Sequence, residues 1–375
     1  MPEMIIPTER VRGLEAGKRR IAIEIEGTVT FEIALTIWSA FSPKDPNTAI
    51  DLGKNWLKDI RDACSEVLAD ELRELGGPHA HGWLAISSLM LAAPHPHEPQ
   101  RMFDWLGSVG DQRLRRWILG YSTSSDDQAL IEQAAGGDAE AVTELMGDMA
   151  EEKPEALEYL QWMIETEDLP ARFAAALERF RSEVFVEFEA DFAGAIARAA
   201  AARQAAPTRA SAKEIVEEVT SGIDFDIPVG IGRVVLVPSM LTRPLSLIDV
   251  YRGTLVVYYG IADEFIDSDP EAPPSWLVRT YKALSDERRL RILRRLGDSP
   301  ASLDDLGEML GLTKSTVHHH ITILRGAGLV RVHIPEDKQS REKSYSLREQ
   351  SLADATGYLD SYLMPSESEE RRHVR

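Results

Sequence analysis

Cysteine occurs once in these 375 residues, at position 64. A single cysteine excludes a disulfide framework, a thiolate zinc centre and a dithiol redox pair within one chain, and Cys64 is expected to be a small apolar filler in a helix. Long apolar runs are missing too. No stretch approaches the roughly 18 unbroken apolar residues that span a bilayer, and the opening MPEMIIPTERVRGLEAGKRR lacks the apolar region of a secretory signal. A soluble, cytoplasmic chain without a membrane partner is the expectation. Glycine-rich phosphate loops, nucleophile elbows and HExxH helices are absent, and the acids follow helix faces rather than converging. This leaves an enzyme reading without a motif, and no cofactor is expected.

Positive charge is scarce: 42 Lys plus Arg stand against 62 Asp plus Glu, a net charge of −20. Spread evenly, that imbalance would repel nucleic acid. It is not spread evenly. Residues 275–347 hold thirteen Lys plus Arg and nine Asp plus Glu, a balance of +4, so the rest of the chain carries −24. A chain of this kind can hold DNA on one local cationic surface, with steep salt dependence, while its remainder limits nonspecific retention.

The same segment carries the clearest pattern. Trp276–Leu284 leads into DERRLRILRRLGD, where Leu290, Ile292, Leu293 and Leu296 are read as an apolar stripe and five arginines occupy the other positions. Ser302 stands three residues before Asp305 as a helix cap, and Leu303, Leu306, Met309 and Leu310 are read as the core stripe of a short helix ended by Gly311. Thr313 caps the next helix. There Val317, His320, Ile321 and Leu324 recur at i, i+3, i+4 and i+7 and should face inward. Lys314, Ser315, His318, His319 and Thr322 are left on the opposite face, with Thr316 at its margin. All are hydrogen-bonding side chains, suited to the donors and acceptors of a major groove. After Gly326 and Gly328, VRVHI and KSYSL alternate with the period of strands, and PEDKQSRE forms the tip between them, where Lys338, Arg341 and Lys343 make a phosphate clamp.

KALSDERRLRILRRL, LDDLGEMLGLTKSTVHHHITIL and the GLV opening the hairpin together closely resemble the winged helix-turn-helix of ArsR-type bacterial transcription regulators. The match covers about the last quarter of the chain. The resemblance implies that the helix begun at Thr313 is the recognition helix, that the protein is a homodimer on palindromic DNA, and that it represses transcription until an effector releases it. Metal-sensing members use cysteines near the helix before the turn, or His with Asp or Glu on the last helix. LDDLGEML has no cysteine and EQSLADATGYLDSYLM no histidine, so no metal site of either kind is expected.

Several residues admit a blander role. His320 is read as a structural core histidine, and consecutive residues such as His318, His319 and His320 point about 100° apart on a helix, so they cannot converge on one ion. Arg288, Arg289, Arg294 and Arg295 either position the DNA backbone or pair with the acidic N-terminal region. His79, His81, His95 and His97 flank one helix as two H-x-H pairs. Its ends lie about 20 Å apart, so all four should not share an ion, and solvated loop histidines are the first reading, with an imidazole-rich metal site as the alternative. Trp38, Trp56, Trp83, Trp105, Trp117 and Trp162 are read as core fillers, or else as the lining of a pocket for a planar organic effector.

The expected fold class is mainly α (α+β). Residues 1–212 should form a helical domain with a leading strand in RRIAIEIEG and a buried helix in TVTFEIALTIWSAF. Further helices are expected over 50–75, 81–93, 101–119, 126–135 and 138–149, and Pro170 should separate two more, the second over 171–201. A small β section over 213–265 pairs GRVVLVPSM with GTLVVYYGI. An acidic, proline-rich hinge over 266–274, the winged helix over 275–347, a helix over 348–364 and a disordered tail over 365–375 complete the plan. A small-molecule effector would bind the N-terminal domain. The alternative to a DNA-binding regulator is an interaction module in which the winged helix and acidic helices dock a protein.

Overall fold

Strand β1 (Ala22–Ile25) leads into α1 (Thr30–Phe41), the first of a long series of helices. These are α2 (Trp56–Ala63), α3 (Glu66–Gly76), α4 (His81–Met90), α5 (Pro99–Ser108), α6 (Asp111–Thr123), α7 (Gln128–Ala135), α8 (Ala139–Met146), α9 (Met149–Glu152), α10 (Pro154–Glu165), α11 (Leu169–Phe180) and α12 (Val186–Ala205). There follow α13 (Ala212–Val219), β2 (Ile223–Asp224), β3 (Arg233–Ser239), β4 (Ser246–Tyr251) and β5 (Thr254–Gly260). The chain ends in α14 (Ser275–Leu284), α15 (Glu287–Asp298), β6 (Ala301–Ser302), α16 (Leu303–Leu310), α17 (Lys314–Gly326), β7 (Val330–His333), β8 (Ser344–Leu347) and α18 (Glu349–Leu363). This computed structural model describes residues 21–42, 51–53, 55–125, 127–206, 210–266, 272–335 and 343–364. Among the described residues the protein is mainly helical with two small sheets. No helix among the described residues is long and apolar enough to cross a membrane.

The contacts divide the chain into two units, 1–206 with 228–242 and 247–258, and 207–227 with 243–246 and 259–375. The stretch 213–265, expected to be a β section of its own, is thus shared between them. Its strands do not stand alone because β1 needs a partner: β1 runs parallel to β3, with Ala22 opposite Arg233 and Ile25 opposite Leu236, in a sheet of order β1-β3-β5-β4. The connector between the two expected strands itself holds β4. Consecutive burial of Val234, Val235, Leu236 and Val237 shows that both faces of this sheet are covered.

Local capping explains where helices expected as single pieces divide. Cys64 is extended after α2, and the Ser65 side chain accepts from the Leu68 N–H to start α3, so 50–75 is not one helix. An extended Val109 likewise separates α5 from α6. Pro170 does mark a division, as expected: α10 ends at Glu165, Thr166 is extended, and Pro170 occupies the first turn of α11, where its missing N–H removes no helical hydrogen bond. The expected second helix, 171–201, passes through a π turn, Arg181–Phe185, between α11 and α12. Burial first, then the charge of Glu183, pushes the Cys64 thiol up to about 11, which keeps it protonated and unreactive at neutral pH.

Helix α1 is buried from Thr30 to Ala40, apolar enough on all sides to be the centre of the first unit. It nevertheless carries Glu32, 1% exposed, whose carboxyl accepts from the Leu241 N–H at 2.6 Å and is also bonded by Ser239. Burial outweighs these bonds and raises the Glu32 carboxyl from 4.5 to about 7. The folded state therefore holds a proton that the unfolded chain releases, and stability on the order of 3 kcal/mol, complete below about pH 4.5, is lost as pH rises towards about 7. Glu32→Gln should flatten this slope in melting curves recorded across that window; an unchanged slope would mean that Glu32 ionises normally.

Candidate nucleic-acid interface

In the second unit α15, α16 and α17 pack on one core with Leu329, Val330 and Val332 of the hairpin and Tyr345 of β8. The hairpin is antiparallel, Val330 opposite Leu347 and Val332 opposite Tyr345, and β6 adds to β8. A fourth strand was not legible in advance: β2 runs parallel to β7, with Ile223 opposite Val332 and Asp224 opposite His333, in the order β2-β7-β8-β6. His333 Nδ1 lies 2.9 Å from Asp224, whose other oxygen meets Lys213 of α13 at 2.9 Å. The turn into β2 requires Gly222, at φ +109, where an added Cβ would stand 2.7 Å from Arg348.

The second unit also fixes where α14 starts. Asp263 accepts from the Trp276 N–H at 3.1 Å and from the Ser275 hydroxyl at 2.8 Å, and the Arg243 guanidinium pairs with the same carboxylate. Burial alone would raise the Asp263 carboxyl, but these bonds, Arg243 first, hold it below the usual range. Of the expected hinge over 266–274, residues 267–271 lie outside the described residues, as does the expected tail over 365–375.

Caps and core of the helix-turn-helix follow the sequence closely. Ser302 and Asp305 form a reciprocal capping box, Gly311 ends α16 at φ +65, and the Thr313 side chain accepts from the Thr316 N–H. On α17, Val317, His320, Ile321 and Leu324 are buried. Two positions depart from the expected stripes. Leu290 is 48% exposed and Met309 37%. On α15 the buried arc centres on Ile292, Leu293 and Leu296, and Arg289 rather than Leu290 falls within it. The Arg289 guanidinium donates to the carbonyls of Ala283 at 2.6 Å and Lys282 at 2.9 Å, closing the C-terminus of α14. Arg295 donates to Ser299. Arg289 and Arg295 thus have partners within the chain, while Arg288 and Arg294 stand exposed.

The outward face of α17 is a row of polar side chains. Lys314, Ser315 and His319 are exposed, and Thr316, His318 and Thr322 half-buried. Thr316 and Ser315 share hydrogen bonds with the Thr313 hydroxyl at 2.8 and 3.1 Å, and Thr322 bonds back to the His318 carbonyl at 2.9 Å. Lys314 is held 2.8 Å from Asp304 of α16, with both side chains about 60% exposed. Such an exposed pair is worth at most about 1 kcal/mol, so the lysine can be given up to another anion. Lys343, half-buried, directly precedes β8, whereas Lys338 and Arg341 lie outside the described residues.

The four histidines around α4 do not meet. His79 and His81 lie beside each other at one end, His79 being 3.7 Å from Glu155, and His95 stacks on His97 at the other. The tryptophans pack on separate neighbours: Trp83 on Phe173, Trp117 on Tyr251, Trp56 on Phe188 and Phe192, and Trp162 on Tyr159. A cleft of 390 Å³ opens in the second unit, with Arg243, Asp263, Trp276, Thr280 and Asp354 among its walls.

The family described as "Helix-turn-helix domain" matches residues 284–333. CmtR of Mycobacterium tuberculosis, an HTH-type transcriptional regulator, is 43% identical over 89 residues, 24% of this chain and 72% of CmtR. YceK of Bacillus subtilis, an uncharacterised HTH-type transcriptional regulator, is 40% identical over 88 residues, 23% of this chain and 81% of YceK. A solved ArsR family transcriptional regulator is similar over 27% of this chain and all of its own, at 23% identity and a TM-score of 0.21.

His320 gives this helix a pH dependence. It is 6% exposed, and among the described residues neither ring nitrogen has a hydrogen-bond partner. Burial lowers its pKa from the ordinary 6.5, against the opposing charge of Asp286. The folded state keeps the ring neutral while the unfolded chain takes up a proton, so this contribution to stability is present above about pH 6.5 and lost as pH falls below it. His320→Leu should melt with less acid sensitivity between about pH 7 and 5 than the wild type; equal sensitivity would show that His320 is not the group titrating.

Proposed function

As this chain belongs to the ArsR family of helix-turn-helix transcriptional regulators, we propose that it is a cytoplasmic homodimeric repressor that sets two α17 helices into successive major grooves of a palindromic operator. The observation that carries this reading is the split of α17 into one wholly buried stripe and one continuous hydrogen-bonding face. Lys314, Ser315, Thr316, His318, His319 and Thr322 read or flank base edges, while Lys338, Arg341 and Lys343 hold the backbone from the wing, aided by Arg288 and Arg294. Two-fold symmetry sets the half-sites about one helical turn apart.

Helix α18 supports self-association. It buries only Ala355, exposes Tyr358, Leu363 and the following Met364, and has Trp276 of α14 against Tyr358. The protein acts by binding rather than by catalysis, and a ligand acting on the first unit controls it.

Specificity and affinity should separate under mutation. Lys314→Ala or His318→Ala changes which bases are tolerated and costs about 1 to 3 kcal/mol, whereas Arg341→Ala weakens all sequences alike and flattens the salt dependence by about one unit. Asp304→Asn, by releasing Lys314, should tighten binding to every duplex slightly. Fluorescence anisotropy on a panel of duplexes at several salt concentrations reads all four variants, and an unaltered base preference in Lys314→Ala would overturn the orientation of α17.

A further inference from the structure

The loop after α4 brings His95 and His97 to Glu26, which follows β1 and is 71 positions from His97 in sequence. Donor atoms of these three side chains lie within 4.8 Å of one another. Glu26 and His97 are 5% and 6% exposed, while His95 is exposed and its ring stacks on that of His97 with centroids 3.8 Å apart.

The hydrogen bonds of His97 define its chemistry. Its Nε2 is 2.8 Å from the Ala93 carbonyl, which can only accept, so Nε2 carries a proton. The other nitrogen, Nδ1, lies 2.9 Å from a Glu26 carboxylate oxygen, itself an acceptor. Something positive must lie between the two, either a second proton or a cation. A ring held by a backbone carbonyl at one nitrogen, with the other turned to a carboxylate and a second imidazole alongside, is the arrangement by which proteins orient a metal-ligating histidine. Arg233, whose charge also reaches His97, is neutralised by Glu24 at 2.6 Å.

We propose that Glu26, His95 and His97 bind one divalent transition-metal ion of the zinc or nickel type, through His97 Nδ1, a Glu26 carboxylate oxygen and one ring nitrogen of His95, with solvent completing the coordination. Two imidazoles and one carboxylate suit such borderline ions better than calcium or magnesium, which prefer oxygen alone. Ligands on bonds of about 2.0 to 2.2 Å stand roughly 3.4 Å apart in a tetrahedron, so His97 Nδ1 and the Glu26 oxygen, 2.9 Å apart, must part slightly while the His95 donor draws in. The exposed His95 supplies that movement and the route by which the ion enters. Occupancy would tie the end of β1 to the loop behind α4 and so stabilise the first unit. This site is independent of the DNA-binding reading.

The test is isothermal titration of full-length protein, stripped with chelator and then freed of it, with zinc chloride and separately with nickel chloride. One ion per chain should bind, accompanied by a rise in melting temperature. His95→Ala, at an exposed position, and Glu26→Gln should each weaken binding by at least about tenfold, while the double variant His79→Ala, His81→Ala binds as the wild type does. The proposal falls if neither metal binds, or if His95→Ala binds with unchanged affinity.

Discussion

Burial of one side of a single helix is the constraint from which the reading of this protein follows. Val317, His320, Ile321 and Leu324 are committed to the core of the second unit, and Thr313 fixes where the helix begins. With its start and its rotation both set, α17 has no freedom in what it presents. Lys314, Ser315, His319 and their neighbours point outward because the core admits no other rotation. His320 is the costly member of the buried stripe, a polar ring without a hydrogen-bond partner among the described residues, and it ties the integrity of this helix to pH.

Other features hold that helix in place. Arg289 closes the carbonyl end of α14, Asp263 together with Arg243 caps its beginning, and β2 lengthens the wing sheet along β7. Each uses a charged or backbone group that would otherwise be left unsatisfied at a helix end or a sheet edge. Several arginines that composition alone would count toward DNA are therefore structural. The cationic excess available to a phosphate backbone is narrower than the balance of +4 over residues 275–347 implies.

The second unit was largely legible in the sequence because its signals are local: a cap three residues before an acid, an apolar stripe at helical period, glycine at a helix end. What escaped was non-local. Nothing near Ile223 announces that it will pair with Val332, and nothing in LTRPLSLIDVYR signals a strand until β5 is present to receive it. The exposure of Leu290 and Met309 shows the limit of reading stripes by spacing, since a neighbouring arginine with a buried stem can take the apolar position. In the first unit, too, helix existence was readable, whereas breaks at Ser65 and Val109 depended on one-residue choices of backbone. Glu26 beside His97 was beyond sequence reading, because only the fold brings together residues 71 apart.

The central claim is that the polar face of α17 reads DNA. Selection of the full-length protein against a randomised duplex library at physiological salt, followed by sequencing, tests it most directly. The account predicts an enriched palindrome with half-sites about one helical turn apart, lost when the α17 face residues Lys314 and His318 are replaced by alanine. Absence of any enriched sequence would contradict it and would leave the winged helix as a surface for docking another protein.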